Sequence, residues 1–130
     1  MNLAVEQFYQ EIGQAAKAVA PDLAGRLLIY AEVEDGAVSA DIFYATATGV
    51  RFRICPQSMK GAIYSFWKQW TSVPGNREWR VMCYVIDDGK FSIDFTYPDQ
   101  IKANEGLPDR RPLAAKRYFG DVKVDYSKPK

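Results

Sequence analysis

The sequence predicts an α+β fold: an antiparallel sheet of about five strands packed by helices, in the order α-β-β-β-α-β-β-α. Three observations predict it. Two stretches, 3–19 and 57–71, repeat their apolar residues at helical spacing, and two Asp-Gly pairs, Asp35-Gly36 and Asp88-Gly89, each sit between runs that alternate at strand period. The whole is 130 residues and 14.7 kDa, the size of one domain, so residues 1–130 are read as a single unit.

The first helix shows Val5, Phe8, Ile12, Ala15, Ala16 and Val19 along one face, with Asn2 as its N-cap and Pro21 as its stop. A hairpin follows. With Asp35-Gly36 as a type I′ loop, Val33 faces Val38, Ala31 faces Ala40, Ile29 faces Ile42 and Leu27 faces Tyr44, an apolar sheet face. The opposite face carries Leu28, Tyr30, Glu32 and Glu34 beside Ala37, Ser39, Asp41 and Phe43, acidic toward the turn and apolar away from it. A slip of one residue would exchange core and solvent faces, so the pattern specifies the register.

Residues 50–54 alternate and read as a third strand. The second helix follows Pro56, aligns Met59, Ile63, Phe66, Trp67 and Trp70, and ends before Pro74-Gly75-Asn76. A second hairpin runs from Trp79 to Tyr97 and turns at Asp88-Gly89, pairing Ile86 with Phe91, Tyr84 with Ile93, Met82 with Phe95 and Arg80 with Tyr97. Residues 34–44 resemble 87–97, a likeness that turn chemistry and strand alternation largely impose. Residues 98–108 read as a loop. Asp109 is the expected N-cap of a last helix from Arg110 to Tyr118, with Pro112 in its first turn, Leu113, Tyr118 and Phe119 packing inward, and Gly120 as its stop. Residues 121–130 are expected as a frayed strand or flexible tail. Helices one and two, each with a single apolar stripe, are expected on one sheet face.

Composition narrows the chemistry. There is no histidine, which removes the usual general base and the commonest metal ligand, and Cys55 and Cys83 alone cannot make a four-cysteine zinc site. No metal and no cofactor is expected. The thiols have no histidine partner, and Ser65-Phe66-Trp67-Lys68, which fits Ser-x-x-Lys, falls on an aromatic-rich helix where chance explains it. The N-terminal residues lack the basic and apolar regions of a signal peptide, and no run has membrane-spanning length, so a cytoplasmic protein with reduced thiols is expected.

The net charge of +1 conceals an uneven distribution: residues 1–50 hold seven acids and two bases, residues 101–130 eight bases and four acids. Such asymmetry points either to a charged partner or to halves that attract each other within one fold. As a partner surface, Tyr30, Glu32, Glu34 and Asp41, extended by Asp94, form an acidic, Tyr-bearing face suited to a basic protein. The alternative surface is the last helix and tail, through Arg110, Arg111 and Lys116. Those cations also read in two ways, as contacts to phosphates or as the basic end that complements a helix dipole.

Several segments, in the same order and over most of the chain, resemble the YezG-like family of bacterial immunity proteins, partners of secreted nuclease toxins. They are Tyr9-Gln10-Glu11-Ile12 and the following Pro21; Trp79, Gly89-Lys90-Phe91, Asp94-Phe95 and Tyr97; and Arg110-Arg111 with Lys116-Arg117-Tyr118-Phe119-Gly120. Two places depart from the family: Asp22-Leu23-Ala24-Gly25-Arg26 lacks its tryptophan after the first helix, and Pro98-Asp99-Gln100-Ile101 lacks its acidic, tryptophan-bearing stretch. The resemblance implies a non-catalytic protein that neutralises a cognate toxin domain by binding it; a monomer or weak dimer is expected for the free form, with no membrane and no direct nucleic-acid partner. A basic nuclease makes an acidic inhibitor face physically sensible. The alternatives are a small hydrolase using Glu32 and Asp41, and a nucleic-acid-binding module using the basic last helix.

Overall fold

The computed structural model describes residues 3–102 and 106–127, with side chains from Val5 onward. Asn2, the expected cap of the first helix, lies outside the described residues, as does the terminal Lys-Pro-Lys. The elements are α1 (Leu3–Ala18), β1 (Leu27–Glu34), β2 (Ala37–Ala45), β3 (Val50–Ile54), α2 (Gln57–Ser72), β4 (Val81–Asp87), β5 (Lys90–Thr96), a 3-10 turn (Pro98–Gln100), α3 (Leu107–Phe119) and β6 (Val124–Asp125).

The strands form one six-stranded mixed sheet, ordered β5-β4-β1-β2-β3-β6. The antiparallel part holds the five expected strands. The sixth comes from the tail, where Val124 and Asp125 pair in parallel with Val50 and Arg51. The first hairpin has the expected register along its whole length, from Leu27 opposite Tyr44 to Glu34 opposite Ala37. The second pairs Ile86 with Phe91, Tyr84 with Ile93 and Met82 with Phe95, also as expected. Its ladder stops at Val81 and Thr96, however. Arg80 N donates to Thr96 O at 2.8 Å, one residue out of register, so Arg80 does not pair with Tyr97 and Trp79 precedes the strand.

The two Asp-Gly turns differ. Asp88 and Gly89 both take positive φ, 53° and 75°, as a type I′ turn demands. At the first turn only Gly36 does so, at 86°, so it is not type I′. Here α2 imposes the geometry: Gly36 N donates to Tyr64 Oη at 2.9 Å, and Lys68 Nζ meets Asp35 Oδ1 at 3.2 Å.

Both faces of the sheet are covered. Helices α1 and α2 pack on one, burying Phe8, Ile12, Ile63 and Phe66 against Ile29, Ala31, Ile42 and Tyr84. α1 crosses close to the sheet at Gly13, where a Cβ would lie 2.6 Å from Tyr84 Oη. That hydroxyl donates to Tyr9 O at 2.8 Å. Two indoles of α2 hold the segment leading into β4: Trp67 Nε1 donates to Trp79 O and Trp70 Nε1 to Arg77 O, each at 2.8 Å.

The second face is covered by α3, whose Ala114 and Ala115 pack on Leu28, Tyr30, Phe43, Val81, Cys83 and Val85. α3 starts three residues before the expected Arg110. Gly106 is its N-cap, and Asp109 lies in the first turn, accepting from Gly106 N at 2.9 Å. Pro112 therefore falls inside the helix, where the carbonyl four residues back has no N–H to receive. Leu113 is 57% exposed rather than packed inward, because the inner face is set by Arg110, Arg111, Ala114, Ala115 and Tyr118 at helical spacing. The end of the helix is held by Arg26, whose Nη1 donates to Tyr118 O at 2.5 Å, and Gly120 closes it at φ 78°.

Candidate functional site

The sheet assembles the expected acidic residues because pairing brings distant positions into cross-strand rows. Tyr30 lies between Asp41 on β2 and Cys83 on β4, and Cys83 lies beside Asp94 on β5. Glu32 stands two residues along β1, on the same face and diagonal to Asp41. The expected grouping of Tyr30, Glu32, Asp41 and Asp94 on one sheet face is thus real.

That face is not open. α3 lies across it, and its arginines meet the acids one for one. Arg110 takes Glu32 in a two-bond grip, Nε to Oε2 at 2.9 Å and Nη2 to Oε1 at 2.5 Å, and Tyr30 Oη donates to the same Oε2 at 2.6 Å. Arg111 Nη1 reaches Asp41 Oδ2 at 3.1 Å while its guanidinium lies 5.4 Å from the Phe52 ring centroid. Arg117 Nη2 donates to Asp94 Oδ2 at 2.9 Å at the exposed edge. Tyr30, Glu32 and Asp41 are buried beneath the helix, so the solvated acidic face expected from the sequence is instead the contact surface of α3.

Burial and hydrogen bonding shift the titrations together. Desolvation, followed by its bond to Glu32, drives the Tyr30 phenol well above the usual tyrosine range. The Glu32 bond raises Arg110 further into the charged form. Burial pushes Cys83 up to about 11, with Tyr118, itself pushed up to about 12, beside it. Cys55, buried on the other face with its Sγ 3.8 Å from Met59 Sδ, is pushed up to about 12. Neither thiol has the thiolate character that nucleophilic chemistry needs.

The same pairing extends through the molecule. Of the seven acids in residues 1–50, five meet bases from later in the chain: Asp22 with Arg51, Glu32 with Arg110, Glu34 with Arg80, Asp35 with Lys68 and Asp41 with Arg111. Most acids of the first fifty residues are thus paired within the fold, two of the five pairs with arginines of the basic last third. Glu34 remains largely exposed, and Lys116 is exposed beside Asp121 at 3.2 Å.

Carboxylates in a cleft would suit a hydrolase, and an open sheet face would suit a binder. Asp41 stands in neither setting, and Glu32 only borders a groove, with both its carboxylate oxygens held by Arg110. Among the described residues no group of three or more His, Cys, Asp or Glu side chains is placed to hold a metal ion. A shallow groove of about 780 Å³ lies between the first hairpin, residues 98–102 and the start of α3, lined by Glu32, Glu34, Arg80, Ile101, Lys102 and Leu107 among others.

Sequence reasoning missed the arginine partners of the acids. A signal was present: the unbroken run Leu27-Leu28-Ile29-Tyr30-Ala31 is that of a strand covered on both faces, not of one with a solvated side. No helix of the described residues is long and apolar enough to cross a membrane. No protein-family model matches the chain, and no curated protein matches it.

Proposed function

We propose that this protein is a non-catalytic immunity protein that binds a cognate bacterial toxin domain, a nuclease domain by resemblance, and neutralises it by one-to-one association in the cytoplasm. The observation that carries the reading is where the resembling residues fall. Tyr9 and Ile12 are buried under α1, Trp79 is fully buried, and Phe95 and Tyr97 pack against the same core. Arg110 and Arg111 clamp α3, and Gly120 ends it. These apolar and clamping residues are skeleton positions, whereas Gln10, Glu11, Lys90, Asp94 and Lys116 of the same segments are exposed, the pattern of a shared scaffold that carries a surface for a partner.

The chemistry of the acids favours binding over hydrolysis. A general base needs a free lone pair near its target, and Glu32 and Asp41 each give oxygens to an arginine. The basic helix likewise offers compensated charge: Arg110, Arg111 and Arg117 face carboxylates, which weakens the case for phosphate contacts. In this reading Tyr30, Glu32 and Asp41 act from behind, holding α3 in place. Glu34 and Asp94, with the groove beside the first hairpin, supply the accessible acidic contacts, and Lys116 belongs to the other surface.

The test is co-expression with the C-terminal domain of a large secreted protein encoded next to this chain, followed by calorimetry on the purified pair. Rescue of growth and a one-to-one complex weakened by Glu34→Lys support the reading. A neighbouring domain that stays toxic and does not bind removes it.

A further inference from the structure

We propose that β5 is a self-complementary edge through which two copies of this chain pair antiparallel, joining their sheets across a two-fold axis. The two edges of the sheet are finished differently. On the far side β6 covers Val50 and Arg51, and Arg53 Nη1 donates to Phe52 O at 2.9 Å and Ser127 O at 3.2 Å. Among the described residues β5 has no such cover. It runs seven residues, Lys90–Thr96, without a proline or a bulge of its own, and it presents Phe91 at 47% exposure. Long regular edges of this kind are what proteins ordinarily blunt.

The direction of its free groups follows from the ladder. Val33 N donates to Arg80 O at 2.9 Å, so the odd residues of β1 bond toward β4; Arg80 itself sits at the irregularity before β4, its own N going to Thr96 O. Alternation then turns the even residues of β4 toward β1 and the odd ones toward β5. On β5, residues 90, 92, 94 and 96 bond to β4, leaving the amides and carbonyls of Phe91, Ile93 and Phe95 aimed outward.

Of the two-fold registers that match these outward groups to themselves, three pair most of the strand. Centring on Asp94 sets two carboxylates face to face, which is repulsive. Centring on Ser92 leaves the last two residues of the strand unpaired. Centring on Ile93 engages all seven. Phe91 then faces Phe95 of the second copy, Ile93 faces its equivalent, Ser92 faces Asp94, and Lys90 sits diagonal to Asp94, within reach of a long side chain. Apolar meets apolar on the α1 and α2 side, and opposite charges approach on the α3 side. One such ladder falls below the area of a stable interface, so the dimer exchanges with monomer.

Sedimentation velocity of the full chain across a concentration series, with amide hydrogen exchange, tests this. The expected result is a dimer fraction that rises with concentration, with protection gained at Phe91, Ile93 and Phe95 and unchanged at Ser92 and Asp94. Ser92 is exposed, so charge there can change without loss of the fold. Ser92→Asp places acids opposite Asp94 and is expected to weaken the dimer about tenfold, whereas Ser92→Lys strengthens it by a similar factor. A chain that stays monomeric at every concentration overturns the proposal, and so does a dimer that ignores both substitutions. Weakening by both variants overturns the Ile93-centred register, and protection of these amides only on adding a foreign strand peptide assigns the edge to another protein.

Discussion

Arg110 and Glu32, 78 residues apart in the chain, meet through two hydrogen bonds at the boundary between α3 and the sheet, with side chains only 15% and 10% exposed. The pair links the basic C-terminal third to the acidic first hairpin. Breaking a buried pair from one side leaves an uncompensated charge, so Glu32→Met and Arg110→Met are each expected to cost about 3 kcal/mol of stability. The double variant Glu32→Met/Arg110→Met is expected to cost much less than the two losses combined, since no charge is then stranded. Urea unfolding of the four proteins measures the coupling.

Gly13 is required by the approach of α1 to Tyr84. A Cβ there would lie 2.6 Å from a hydroxyl that is itself held by Tyr9 O, on a ring stacked against Phe91. Gly13→Ala is therefore expected to destabilise by about 1–3 kcal/mol, although alanine is the better helix former. Tyr84→Phe alone should cost about 1 kcal/mol. Combined with Gly13→Ala it should recover part of the loss, a non-additivity that thermal unfolding reads directly.

The two hairpin turns should respond differently to the same change. Asp88 holds φ 53°, so Asp88→Val is expected to cost about 1–2 kcal/mol through left-handed backbone strain. Asp35 is outside that region and forfeits only exposed contacts, the pair with Lys68 and a 3.4 Å hydrogen bond from Tyr64 Oη, so its loss is expected to be the smaller. Denaturant midpoints of Asp35→Val and Asp88→Val rank the two.

Alkaline pH should unfold the protein through its thiols. Burial lifts Cys83 to about 11 and Cys55 to about 12 from an ordinary value of 9.0. Between those values the unfolded chain has released thiol protons that the folded chain retains. The unfolded state then binds fewer protons, so stability is fully present below about pH 9 and falls as pH rises toward the folded values. Tyr30, raised by the same cause, acts in the same direction. Urea midpoints measured between about pH 8 and 10.5 should decline, and Cys83→Ala should flatten the slope.

Much of the architecture was legible. The pairs from Leu27 and Tyr44 to Glu34 and Ala37, and from Met82 to Phe95, follow from alternation about an Asp-Gly turn, since a slip would bury charge. The start of α3 was less so. Asp109 has the chemistry of an N-cap, and only Gly106 N bonding back to it reveals that the helix had already begun. The site was legible as a list and not as an environment. Tyr30, Glu32, Asp41 and Asp94 share a face as strand period requires, and the apolar run Leu27 to Ala31 announces a cover over it without revealing that arginines of the last helix supply the partners.

The sequence by itself determined the three helices and five of the six strands, the hairpin registers as far as Met82 opposite Phe95, and the separation of acidic and basic segments, because each is a matter of period, turn chemistry or counting within a few residues. Only the tertiary structure decided that α3 closes the second sheet face, that the tail adds β6, and that Glu32 meets Arg110 and Asp41 meets Arg111. Those contacts join residues about 70 to 80 positions apart. They depend on where the helix lies over the sheet, and that is set by Ala114 and Ala115 fitting against Tyr30, Phe43 and Cys83, a complementarity of shape that no spacing along the chain encodes.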